Sequence, residues 1–167
     1  MKTIGLLSDT HGFVPPRVIA FFAGCDEIWH AGDVGSLAVV RQLESVAPVR
    51  GVYGNIDGQE IRKQFPETAQ FTIEGLNVLM IHIGGYPGRY APKARKLIET
   101  YRPGLFVSGH SHILKVMPDR RYGLLHINPG AAGQSGFHKS ITAVRFQIEA
   151  GRPKALEVLD IDRKKKL

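Results

Sequence analysis

Seven residues of this chain could hold divalent cations: Asp9, His11, Asp33, Asn55, His82, His110 and His112. Their side chains offer carboxylate or amide oxygen and imidazole nitrogen, and no cysteine is among them. A closed structural zinc site usually draws on thiolates, so this set suits a catalytic ion: Mn²⁺, Fe or Zn²⁺. Seven ligands are too many for one ion that keeps a position open. They suit two ions sharing a carboxylate. In Gly109-His110-Ser111-His112 the histidines stand one residue apart. Strand-like alternation turns both to one face, so each can reach a different ion of a pair. Taken singly, the residues have plainer readings: Asp9 or Asp33 could cap a helix, and a lone histidine is often just a satisfied polar group. Taken together, they converge as the residues of a catalytic site do.

Convergence requires elements that end at a common edge. "TIGLL" (3–7) runs into Asp9 and His11, and "EIWHAG" into Asp33. "PVRGVYG" runs into Asn55 and Asp57, "NVLMI" into His82, and "GLFVS" into His110 and His112. Each apolar run reads as a strand that stops at a polar residue. Ligands of open α/β sheets gather outside the carboxyl ends of parallel strands. Between the first three runs lie two helical patterns, "PPRVIAFFAG" and "SLAVVRQLESV", the second with Leu37, Val40, Leu43 and Val46 at helical spacing. This βαβαβ opening predicts parallel strands with helical crossovers. "AQFTIEGLNVLMIH" predicts two strands turning at Glu74-Gly75, and "APKARKLIETY" a helix. From residue 113 onward the pattern is mostly strand, and the alternation of "ITAVRFQIE" predicts a strand with one face in solvent. The expected class is α/β, with two packed mixed sheets and helices outside. Gly32, Gly54 and Gly109 stand beside ligands, where a close backbone approach excludes a Cβ.

The 167 residues suit one domain, drawn as 1–162 followed by a basic tail at 163–167. The net charge is +7, of which Arg163 to Lys166 carry four, leaving about +3 on the body. A basic balance suits phosphate-bearing partners, and nucleic acid is a weakly supported one, because no run interleaves basic and aromatic residues. No apolar run approaches a membrane span, and the N-terminal apolar run is broken too early for a signal peptide. Cys25 is the only cysteine, which points to a reducing cytoplasm. The tail has no apolar periodicity to dock it, so truncation after Asp162 is expected to leave turnover within about twofold.

Read in order, Asp9-Thr10-His11, Gly32-Asp33, Gly54-Asn55-Ile56-Asp57, His82 and Gly109-His110-Ser111-His112 resemble the calcineurin-like metallophosphoesterases, specifically their small single-domain bacterial and archaeal branch. The resemblance spans nearly the whole chain and includes Asn128-Pro129-Gly130-Ala131. It implies a four-layer α/β/β/α sandwich of two mixed sheets flanked by helices. It also implies two divalent ions, Mn foremost, with Fe, Zn or Ni as alternatives. Asp9, His11 and His112 would hold one ion, Asn55, His82 and His110 the other, and Asp33 would bridge. The implied chemistry is hydrolysis of a small phosphate ester, a phosphodiester above all, by a hydroxide shared between the metals. Asp33, Asn55 and His110 would be the catalytic residues.

Two positions depart from the family pattern. Ile56 stands where many relatives have a histidine that protonates the leaving group, and His82-Ile83-Gly84 replaces the His-Gly-His of several small relatives. Nearby Arg89 or Tyr90 could touch the phosphate. His30 could orient the Asp33 carboxylate, and Asp57 is a further residue beside the ligands. The alternative function is a non-catalytic metal-binding scaffold for protein interaction, resembling the retromer vacuolar-sorting subunit. A homo-oligomer is compatible with either.

Overall fold

The apolar runs form two five-stranded mixed sheets, packed face to face in a computed structural model that describes residues 1–164. The chain begins with β1 (Lys2–Leu7), α1 (Pro16–Phe21), β2 (Glu27–His30), α2 (Leu37–Glu44), β3 (Val49–Gly51) and α3 (Gln59–Gln64). It continues with β4 (Thr68–Ile73), β5 (Leu76–Ile81), β6 (Gly85–Tyr86), β7 (Arg89–Tyr90) and α4 (Pro92–Tyr101). It closes with β8 (Leu105–Val107), β9 (Leu114–Asp119), β10 (Leu124–Pro129), β11 (Ser140–Glu149) and β12 (Arg152–Asp162).

One sheet has the order β12-β11-β1-β2-β3 and the other β4-β5-β8-β10-β9. In the first, β1, β2 and β3 run parallel, and β11 joins β1 antiparallel. In the second, β5, β8 and β10 run parallel between antiparallel edges. Alternation along β1 sends Ile4 and Leu6 into the core between the sheets, with Trp29, Met80, Val107 and Phe146. Leu7 faces the other way, under Val18, Val40, Leu43 and Ile61 of α1, α2 and α3. On the far side, Ala94 and Ile98 of α4 cover Leu79, Ile81 and Phe106. The layers are therefore helices, sheet, sheet, helix, which is the expected four-layer sandwich.

The strand β11 departs from the expected alternation. Ile141, Thr142, Ala143 and Val144 are all buried, because helices cover one face and the second sheet the other. Only past Val144 does one face loosen, and there Arg145 donates to the Phe21 carbonyl, 2.7 Å away, and lies over the Phe21 ring. Among the described residues no helix is long and apolar enough to cross a membrane. Of the tail, Arg163 and Lys164 are described, whereas 165–167 lie outside the described residues.

Candidate metal centre

Both sheets deliver ligands to one edge. Asp9 and His11 follow β1, Asp33 follows β2 and Asn55 follows β3, while His82 follows β5 and His110 and His112 follow β8. All five strands are parallel members of their sheets. Their carboxyl ends meet, for His82 lies 3.2 Å from Asp33 and His110 lies 3.1 Å from Asn55 across the two sheets. Asp9, His11 and His112 form one cluster and Asp33, His82 and His110 a second, with the ligand atoms of each cluster within 4.8 Å of one another. The backbone bends sharply to present them. Asp9, His11, Asp33, His110 and His112 all take positive φ, between 48° and 73°. That left-handed region is uncommon for residues with a Cβ, although Asp and His tolerate it better than most.

Each carboxylate has one oxygen tied to the fold and one left free. Asp9 Oδ2 accepts from the Ser8 hydroxyl at 2.6 Å and from the His110 backbone N–H at 3.0 Å. Its Oδ1 is buried without a hydrogen-bond partner and lies 3.7 Å from His11 Nε2, 3.2 Å from His112 Nε2 and 3.8 Å from His82 Nε2. Asp33 Oδ1 accepts from the Ile56 backbone N–H at 3.0 Å. Asp33 Oδ2 faces both clusters, 3.6 Å from His11 Nε2 and 3.2 Å from His82 Nε2.

The histidines follow the same rule. His82 Nδ1 donates to the Ala31 carbonyl at 2.7 Å, which leaves Nε2 buried and unpartnered. His11 Nε2 is likewise unpartnered. His110 Nδ1 donates to Asn55 Oδ1 at 3.1 Å, so these two exposed residues close the second cluster together. Buried lone pairs aimed at one another are costly unless a proton or a cation lies between them. Cations placed among Asp9 Oδ1, Asp33 Oδ2 and the free imidazole nitrogens would remove that cost, so these donors fit divalent ions of oxygen–nitrogen preference.

Electrostatics agree. Burial alone would raise the Asp9 carboxyl, but His11, His112, His82 and the Ser8 hydroxyl outweigh it and hold the group far below the usual carboxylate range. For Asp33, burial again opposes, and His82 with the Ile56 N–H prevails, so this carboxyl is also lowered. Both are ionised, as ligands must be.

Other candidates serve the loops. Asp57 is buried and accepts from the Val34, Gly35 and Gly54 N–H groups at 3.1, 2.9 and 2.8 Å, bracing the Asp33 and Asn55 loops against each other. His30 does not reach the Asp33 carboxylate. Its Nδ1 accepts from the Gly32 N–H at 3.1 Å, and its Nε2 donates to Thr10 Oγ1 at 3.0 Å, tying the β1 and β2 loops together. Burial pushes its pKa down to about 4, so it does this as a neutral ring. Tyr90 turns away from the centre. Its hydroxyl donates to Asp119 at 2.6 Å, and its ring packs on Phe106 and Tyr122. Arg89 lines a cleft beside His110. Ile56 holds Asp33 through its backbone, with its side chain 46% exposed at the mouth.

No sequence pattern assigns His138 a role, yet it supports a ligand directly. His138 Nε2 donates to the Gly133 carbonyl at 2.8 Å, so its Nδ1 accepts from His112 Nδ1 at 3.1 Å. That turns the lone pair of His112 Nε2 toward Asp9. Arg163 anchors the same loop through the Gly136 and His138 carbonyls, and its own N–H reaches Lys139 O at 3.1 Å. Truncation after Asp162 would remove these contacts. A truncation meant to be silent belongs after Arg163.

Residues 1–151 match the family model of the calcineurin-like phosphoesterase superfamily domain. A protein of Methanothermobacter thermautotrophicus named probable metallophosphoesterase is 32% identical over 135 residues, covering 77% of this chain and 76% of the relative. Two solved structures share the fold. Vps29 of Entamoeba histolytica has a TM-score of 0.75 at 16% identity, covering 96% of this chain and 99% of that one. A structure described as a novel archaeal phosphodiesterase has a TM-score of 0.75 at 22% identity, covering 94% and 99%.

Proposed function

The chain belongs to the calcineurin-like phosphoesterase superfamily, and from that premise we propose that it is a phosphodiesterase with a dinuclear metal centre. The observation that carries this reading is the position of Asp33 Oδ2, which faces His11 of one cluster and His82 of the other. Asp9, His11 and His112 would hold one ion, and Asn55, His82 and His110 the other. Bound divalent ions supply Lewis acidity, which lowers the pKa of a water and offsets charge growing on phosphoryl oxygens.

The protein's own residues fix that chemistry in place. The Ile56 N–H restricts Asp33 to a single free oxygen, and Ser8 with the His110 N–H does the same for Asp9. Ala31 O and His138 set which ring nitrogen His82 and His112 present. Ile56 has no proton to give a departing oxygen, so good leaving groups are favoured. We assign Mn²⁺ as the native ion, small phosphate diesters as substrates and the cytoplasm as the compartment. Cys25 suits that setting: it is buried, and burial pushes its thiol up to about 11, so it is chemically quiet.

The test is metal removal with metal analysis. Chelation is expected to abolish hydrolysis of an aryl phosphodiester, and Mn²⁺ at about two ions per chain to restore it. Rates across aryl and alkyl diesters should fall steeply as leaving-group pKa rises, because general-acid help worth ~10²–10⁴-fold is missing at residue 56. Full activity in a verified metal-free preparation overturns the reading. A protein that binds two ions but hydrolyses nothing supports the scaffold alternative.

The His112–His138 contact carries its own expectation. His138→Ala should weaken metal binding at the Asp9 cluster by about 10–100-fold, as loss of a ligand's hydrogen-bond partner typically does. His138→Gln keeps an acceptor for His112 Nδ1–H and should recover part of that loss. Titration with Mn²⁺ reads both variants, and ¹⁵N shifts of the metal-free protein report the His112 tautomer. Unaltered affinity in His138→Ala would show that the contact is incidental.

A further inference from the structure

Two clefts border the second ligand cluster, one lined by His82 and Asn55 and the other by His110. The first, about 530 Å³, is lined by Tyr53, Asn55, Arg62, His82, Pro92 and Lys93. The second, about 380 Å³, is lined by Tyr86, Arg89, His110, Ser111, Lys115 and His126. Ile83, the residue after ligand His82, borders both, and its side chain is 45% exposed on the ridge between them. A phosphate seated at the cluster would have space on each side of it. A monoester needs only one such space.

The clefts differ in charge. In the first, both cations are occupied. Arg62 donates to the Asp57 carbonyl at 2.6 Å and lies over the Tyr53 ring, and Lys93 pairs with Glu67 at 2.8 Å. In the second, neither Arg89 nor Lys115 pairs with a carboxylate among the described residues. Lys115 Nζ sits 4.3 Å over the Tyr86 ring. The wall also carries a fully buried histidine. His126 Nδ1 donates to the Phe106 carbonyl at 3.2 Å and its ring stacks on Phe106, so Nε2 is left without a partner. A buried nitrogen in that state favours a ligand that brings a hydrogen-bond donor.

We propose that the two clefts seat the two arms of a phosphodiester, the first holding the arm that stays on phosphorus and the second the arm that leaves. This rests on the phosphodiesterase reading. When the ester bond to the leaving oxygen breaks, its electron pair goes to that oxygen, and water supplies the new P–O bond. The departing oxygen gains negative charge, and the second cleft is lined by Arg89 and Lys115, which pair with no carboxylate among the described residues. Mostly carbon-lined walls around these few polar groups suit planar or apolar arms. The substrate class is thus a diester with two substantial arms.

The experiment uses two substrates with the same leaving group, bis(p-nitrophenyl) phosphate and methyl p-nitrophenyl phosphate. Lys93→Trp fills the first cleft, and Lys115→Trp fills the second on a strand that accepts tryptophan readily. In the metal-loaded full chain, Lys93→Trp should lower kcat/KM for the bis-aryl diester about tenfold relative to the methyl diester, because only the former places a ring there. Lys115→Trp should lower both together by about tenfold. Binding of diphenyl phosphate, measured by calorimetry, should weaken in both variants. Reversed behaviour, or equal losses on both substrates in Lys93→Trp, overturns the assignment of arms. If the unaltered protein hydrolyses neither diester, the phosphodiesterase reading falls and takes this inference with it.

Discussion

Asp33→Ala is expected to yield a folded protein that retains almost no metal and has lost activity by at least about 10³-fold. The substitution removes the Asp33 oxygen that faces both clusters, 3.6 Å from His11 Nε2 and 3.2 Å from His82 Nε2. Each cluster loses a ligand at once. Asn55→Ala should behave differently, because Asn55 touches only His110 of the second cluster. Its metal content should fall toward one ion per chain. The fold should survive in both cases. Asp33 is buried, and His82 with the Ile56 N–H outweighs the repulsion from Asp9, so its deletion also costs the metal-free chain some local stability. What disappears is the stabilisation that metal binding adds to the native state. Added Mn²⁺ should raise the Tm of the unaltered protein and leave that of Asp33→Ala nearly unmoved. Metal analysis of the purified variants decides the matter. Two tightly held ions in Asp33→Ala would mean that Asp33 does not bridge.

Gly54→Ala should do comparable damage with one methyl group. A Cβ at residue 54 would stand 2.1 Å from Asp33 Oδ1 and 2.4 Å from the Asp33 backbone N. That carboxylate oxygen already accepts from Ile56, and the Gly54 N–H is held by Asp57. The methyl therefore has nowhere to go unless Asp33 moves. Overpacking of this kind costs about 1–3 kcal/mol, and displacing a catalytic group by about 1 Å costs ~10²-fold in rate. Gly58→Ala is the matched control, since no atom lies within 4 Å of its would-be Cβ. It should leave stability within about 0.5 kcal/mol. Thermal unfolding with metal analysis of both variants checks the pair. A Gly54→Ala protein with full metal content and unchanged Tm would show that the Asp33 loop gives way easily.

The candidate ligands are legible in the sequence because each stands where an apolar run stops, and strand ends are easier to see than strand partners. The four-layer arrangement follows from the family resemblance and from continuous apolar runs that need cover on both faces. What escapes is short or depends on distant contacts. Helix α3 is six residues long and buries little besides Ile61. The β6–β7 hairpin has two residues per strand. His138 lies in the loop between β10 and β11, far from the end of β10, and its partner His112 is 26 residues away. No local pattern marks that contact. Tyr90 reads as a phosphate contact because it neighbours Arg89, but its hydroxyl is taken by Asp119, 29 residues on. Proximity along the chain says little about a side chain at a hairpin end, where successive residues point to opposite faces.

The left-handed backbone at Asp9, His11, Asp33, His110 and His112 has a consequence for how this protein can drift over generations. Glycine would occupy each of those conformations without the steric penalty, which is about 1 kcal/mol apiece for other residues. Five such positions amount to about 5 kcal/mol, a large share of the stability that a domain usually has. Chemistry is one reason to keep a side chain there, although Glu74, Arg102, Ala150 and Ala155 also take positive φ away from the centre. A descendant released from hydrolysis sheds that backbone penalty by accepting glycine, most readily at His11, whose Nε2 has no hydrogen-bond partner, and less readily at Asp9 and Asp33, whose carboxylates hold backbone N–H groups. Asp and His at all five left-handed positions are therefore what a chain held to this reaction should keep, and a relative's amino-acid sequence shows whether it has kept them.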